Sequence, residues 1–185
     1  VLQLLSIVVV GIAVALMLIS PEMVLIFGSP KYREAVYVIP PVAASVFFIF
    51  IYNILSMPQF YYEKTQFLMA ASMAAAGANV VLNFIFIRLF GYIAAGYTTL
   101  ACYMLYSVGH YIVSKQILVN EGIQENLMNP GFLLACSVFL IGASIICNLI
   151  FPYRILRYAI LLASAGLVFW KKELLLKTMA DIRKK

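Results

Sequence analysis

The stretch Val1–Ser20 reads VLQLLSIVVVGIAVALMLIS, twenty residues with no charge and a single amide, Gln3. A helix needs about 20 consecutive apolar residues to cross the ~30 Å hydrocarbon core of a bilayer. Comparable runs follow at 35–57, 67–87, 92–113 and 130–151, and a shorter one at 154–170. A β-barrel would instead show roughly ten-residue segments of alternating hydrophobicity, and these runs are continuously apolar. The pattern therefore predicts an all-α integral membrane protein, a bundle of about six transmembrane helices.

Composition agrees. Of 185 residues, 65% are hydrophobic and 11% charged, against roughly 45–50% and about 25% in an ordinary soluble domain. A chain this apolar lacks the polar groups to cover a soluble surface. The formal net charge is +6, and six of the thirteen Lys and Arg fall in residues 171–185. That placement reads as a basic tail on anionic headgroups, not as a nucleic-acid-binding face. Cys102, Cys136 and Cys147 all sit inside apolar runs, without C-x-x-C spacing or a nearby His. We read them as small buried residues. The chain opens at Val1 within an apolar run, without Met or a charged leader region, so we expect further helices to precede it.

The punctuation between runs sets the expected elements. Pro21 and Glu22 are expected to close the first span and begin a connector to Glu34. Pro40 and Pro41 remove two backbone donors near the start of the second, which predicts a kink or loosened turn there, and Pro58 is expected to close it. The third carries Ala70, Ala71, Ser72, Ala74, Ala75, Ala76, Gly77 and Ala78. Small residues let helices approach closely in lipid, so this helix is expected inside the bundle, with Gly77→Leu disruptive. Residues 114–129 form the longest polar loop, and Asn129–Pro130 opens the fifth span. Arg154 and Arg157 are expected to snorkel to the interface, with Trp170, Lys171 and Lys172 as an anchor at the far end. Lys64, Lys115 and the six tail cations lie on one side of this topology, eight against five on the other. The positive-inside rule then puts the C-terminus in the cytoplasm.

No catalytic constellation is visible. His110 is the single histidine, and no acidic pair, phosphate loop, metal-spaced cluster or cofactor motif accompanies it. What stands out is amides within spans: Asn53, Asn79, Asn83 and Asn148. Asn79 and Asn83 are four apart and share one helix face. Such amides either glue helices together or line a wet cavity that meets a polar headgroup; both uses turn the face inward. Tyr61 and Tyr62 are candidates for stacking on sugars.

The run Leu25-Ile26-Phe27-Gly28 is followed by Tyr32, Ala35 and Tyr61-Tyr62-Glu63-Lys64-Thr65. Asn79, Leu82, Asn83, Arg88, Gly91, Ala94-Ala95-Gly96 and Thr98-Thr99 come next. This order resembles the C-terminal half of polysaccharide biosynthesis proteins that flip lipid-linked oligosaccharides, such as the O-antigen flippases. Their superfamily also holds multidrug and toxin extrusion transporters and lipid II flippases. The resemblance implies part of a larger two-lobe exporter fold in the bacterial inner membrane, with both termini cytoplasmic. It implies a non-enzymatic flippase that moves an undecaprenyl-diphosphate-linked oligosaccharide by alternating access. Its partners would be the lipid bilayer, the lipid-linked oligosaccharide and the remaining N-terminal helices of the transporter, without nucleic acid or a cofactor. Asn53, Asn79, Asn83, Arg88, Tyr61 and Tyr62 are then the substrate-cavity candidates. Two alternatives stand beside it: a multidrug or metabolite antiporter of the same superfamily, which wants an ion-coupling carboxylate within a span, and a membrane-bound enzyme of envelope synthesis.

Overall fold

The computed structural model describes residues 2–123 and 127–170, and the basic tail at 171–185 lies outside the described residues, as does the side chain of Trp170. Six α-helices follow one another: α1 (Leu2–Phe27), α2 (Ile39–Tyr61), α3 (Thr65–Phe90), α4 (Ala94–Asn120), α5 (Pro130–Ile150) and α6 (Arg154–Trp170). A 3-10 segment, Pro30–Tyr37, links α1 to α2. There is no strand among the described residues. Four helices, α1, α2, α3 and α5, are long and apolar enough to cross a membrane.

The prolines fall where backbone hydrogen bonding can absorb them. Pro21 does not end α1, which runs six residues beyond it to Phe27. The carbonyl it leaves free, that of Met17, accepts from the Ser20 hydroxyl at 2.8 Å, the kind of repair that lets apolar helices tolerate proline. Pro40 and Pro41 do not kink α2. They occupy its first turn, where missing donors have no helical acceptor to lose. The carbonyl of Tyr37, four residues before Pro41, is approached by Asn148 Nδ2 at 3.5 Å. Pro58 lies inside α2, which continues to Tyr61. The expected polar loop after the fourth span is shorter than its composition suggests. α4 continues to Asn120 because Ser114 and Ile117 stay on its buried face.

α2 is the hub, packed on by α1, α4 and α5. Ala43, Ala44, Phe47, Phe48, Ile51, Ile54 and Leu55 of α2 form the centre of the core, with Met17 and Leu18 of α1, Leu100 of α4 and Leu140 of α5. Hydroxyls of α4 tie it to α2: Ser107 donates to the Phe48 carbonyl at 2.9 Å, and Ser114 donates to that of Leu55. Gly96 makes the close approach possible at the other end of α4. A Cβ there would sit 2.8 Å from Pro41 Cγ and 3.0 Å from the Val38 carbonyl.

Two expectations fail here. α3 is not interior: it packs on α4 and lightly on α2, and none of its residues is buried. A Cβ on Gly77 meets nothing within 4 Å, so the small-residue run is not a tight helix contact. Nor does Arg157 snorkel. Its side chain is 1% exposed and is bonded to Glu22 of α1. Large apolar side chains cover the outer faces, among them Ile12, Met73, Phe84, Leu134, Val138 and Leu149. Contiguous apolar surface of this kind is foreign to a soluble monomer and suits contact with lipid.

Candidate functional site: a tyrosine and amide cleft between α3 and α4

α3 leans against α4 without closing on it, and an open cleft of about 490 Å³ remains between them, with Tyr52 of α2 at its floor. Its polar groups are Tyr52, Ser72, Asn79, Thr99, Tyr103 and Tyr106; two alanines, Val80 and Cys102 fill the rest. Tyr52 and Tyr103 stack nearly parallel, with centroids 6.3 Å apart and planes 6° from parallel, and Tyr106 meets Tyr52 edge-on at 4.7 Å. The Tyr106 and Ser72 hydroxyls bond at 2.6 Å across the α3–α4 boundary.

The helical period places these groups. Asn79 and Asn83 lie one turn apart, and Asn83 Nδ2 donates to Asn79 Oδ1 at 2.8 Å. Thr98 of α4 donates to Asn83 Oδ1. Asn83 thus ties α3 to α4, while Asn79 lies in the cleft wall.

The other sequence candidates lie elsewhere. Asn53 is exposed and its Nδ2 donates within its own helix, to the Ile49 carbonyl at 2.7 Å. Tyr61 and Tyr62 pack edge-on at 4.9 Å at the end of α2, with Tyr61 80% exposed. Arg88, in the last turn of α3, stacks its guanidinium 3.8 Å over the Phe84 ring. None of the four lines the cleft. Asn148 of α5 instead donates to the Tyr97 hydroxyl at 2.8 Å, which joins α5 to α4.

Sequence reading missed the tyrosines of the cleft and two polar clusters that brace the bundle. Tyr52 lies in a long apolar run that gives it no distinguishing signal, and Tyr103 and Tyr106 are one helical turn apart on α4, a spacing that any packed helix shows. The first brace is a bidentate pair, Arg157 Nη2 to Glu22 Oε1 at 2.8 Å and Nη1 to Oε2 at 2.9 Å. Nη1 also donates to the Leu18 carbonyl, and the Tyr158 hydroxyl donates to Glu22 at 2.7 Å. The second brace is Gln59, His110 and Ser114, all buried between α2 and α4. Outside the helices, Tyr92 in the α3–α4 turn donates to Glu34 at 3.0 Å. Desolvation and then that hydrogen bond push its phenol above the usual value. Among the described residues, no group of three or more His, Cys, Asp and Glu comes together as metal ligands do.

The fold defines a class, an all-helical protein with helices suited to a membrane. Comparison with protein-family models, with curated proteins and with solved structures gives no match.

Proposed function

We propose that this chain is part of a bacterial inner-membrane flippase that translocates an undecaprenyl-diphosphate-linked oligosaccharide for cell-surface polysaccharide synthesis. In this reading all six helices cross the bilayer, the C-terminus is cytoplasmic, and the bundle belongs to a two-lobe exporter. The observation that carries it is the cleft, where three tyrosines, two hydroxyl residues and Asn79 converge in an otherwise apolar assembly. Flat aromatic bodies with polar tips, set beside a few amide and hydroxyl groups, suit a hydroxyl-rich, uncharged ligand. No charged residue lines the cleft, so it fits the sugars and leaves the diphosphate to cations elsewhere. The uncovered face of α3 supports the same reading, because a wall of a transport cavity needs an opposing wall from the remaining helices. The sequence resemblance points the same way.

One observation favours an antiporter of the same superfamily: Glu22 lies within α1, a carboxylate inside a long apolar helix. Both of its oxygens are engaged, by Arg157 and Tyr158, which makes it a structural brace before an ion site. The deciding experiment expresses Tyr103→Leu and Asn79→Leu in the intact transporter. Surface polysaccharide should fall while membrane abundance holds. Normal export from both variants would defeat the proposal.

A further inference from the structure

His110 is the single histidine of the chain and is 0% exposed. It sits in a box of aromatic rings contributed by three helices. Tyr52 of α2 stacks on it at 5.8 Å; Phe67 of α3 and Tyr106 of α4 meet it edge-on at 5.8 and 4.4 Å. Its Nδ1 faces the Gln59 amide, with Nε2 of that amide at 2.9 Å and Oε1 at 3.2 Å. Gln59 can therefore donate to the ring nitrogen or accept from it. Its Nε2 also donates to Ser114 at 3.0 Å, which fixes the amide in place. The ring's other nitrogen, Nε2, is buried without a hydrogen-bond partner. The site thus tolerates a proton at Nδ1 but, closed to bulk solvent, places no counter-ion beside the resulting charge.

Charged groups on the packed elements do not supply one. α3 turns Phe67 to the ring, and α2 turns Tyr52 and Gln59, none of them charged. Glu63 and Lys64 lie in the turn before α3, and Lys115 lies five residues beyond His110 on α4. The one ion pair among the described residues is Arg157 with Glu22.

Two of the three rings in the box, Tyr52 and Tyr106, also line the cleft, and the third belongs to α3. α3 has no buried residue and packs mainly on α4, only lightly on α2. It is bounded by two residues in the left-handed region, Glu63 at φ 56° and Gly91 at φ 78°. We propose that His110 is the proton-binding site of this transporter: a proton taken up at the ring shifts α3 away from α4 and opens the tyrosine cleft. The proposal rests on the transporter reading. Its physical basis is linkage: an imidazolium that is unpartnered with α3 docked, and hydrated with α3 displaced, moves the population toward the displaced arrangement.

The test measures distances between spin labels in the full chain, with Cys102, Cys136 and Cys147 replaced by alanine. Labels go on the exposed positions Met69 of α3 and Leu134 of α5, away from the site. A longer-distance population should grow as pH falls, its midpoint in the range at or below the ordinary imidazole value of about 6.5, because the docked arrangement disfavours the charged ring, and His110→Gln should abolish the response. Unchanged distances in the wild type, a transition outside that range, or a response that survives His110→Gln would each overturn the proposal. If His110→Gln does not fold, His110→Asn takes its place, and a pH response that survives it would likewise overturn the proposal. The distances are read without substrate, so a negative result here leaves the export experiment free to succeed or fail by itself.

Discussion

The guanidinium of Arg157 and the carboxylate of Glu22 face each other with both of their hydrogen bonds under 3 Å, and so fasten the first turn of α6 to the last turns of α1. The Arg157 side chain is 1% exposed and that of Glu22 23%. Removal of Glu22 strands the buried Arg157 charge, a change that costs about 3–5 kcal/mol, and removal of Arg157 leaves the half-buried Glu22 carboxylate unpaired at a smaller cost. Arg157→Met and Glu22→Gln should each lower the melting temperature in detergent and reduce membrane abundance. The double variant should be milder than the sum of the two singles, since it removes both charges together. Strictly additive losses would show that the two side chains act independently.

The two helix glycines with opposite surroundings should respond in opposite directions. Gly96→Ala drives a methyl into Pro41 and the Val38 carbonyl, and overpacking of this kind typically costs about 1–3 kcal/mol. Gly77→Ala meets open space and should be neutral or stabilising by up to about 1 kcal/mol through helix propensity. Thermal unfolding of both variants side by side checks the packing of α4 on α2 and the openness of α3 together.

The asparagine pair should separate by role. Asn83→Leu removes the link to Thr98 and should lower stability by about 0.6–2 kcal/mol, the usual worth of an interhelical hydrogen bond in lipid. Thr98 keeps the Ala94 and Ala95 carbonyls as acceptors, which holds the loss to that range. Asn79→Leu should leave melting nearly unchanged and lower export. If the two variants lose stability equally, Asn79 is also glue and the cleft loses its amide.

Much of the helical order is legible in the sequence, because twenty-residue apolar runs have few alternatives. The boundaries are less so. Pro21 and Glu22 look like a stop signal, yet α1 absorbs the proline through the Ser20 hydroxyl and the acid through an arginine 135 residues away. No local window contains that partner. The small-residue run on α3 signals close packing only if another helix lies against it, and here that face opens on a gap. Of the candidate site, Asn79 was legible from the one-turn spacing to Asn83. The tyrosines were not, since Tyr52 comes from α2 and joins Tyr103 and Tyr106 only after the chain has folded back through α3.

Orientation is checked by cysteine labelling of intact cells with the native cysteines replaced. A cysteine at Lys31 should react from outside, and one at Lys64 only after permeabilisation, if the α2–α3 turn is cytoplasmic as proposed from the cation count. Reaction of both from the same side would overturn the six-span topology.

The central claim is that the cleft between α3 and α4 receives the sugars of a lipid-linked oligosaccharide. The most direct measurement places a photo-reactive amino acid at Ala75, in the cleft wall, or at Leu149, on the outer face of α5. Each version of the intact transporter is then irradiated in membranes that hold a radiolabelled undecaprenyl-diphosphate-linked oligosaccharide. The account predicts a cross-link to the labelled sugar from position 75 and none from position 149. No cross-link at position 75, or equal labelling from both, would contradict it.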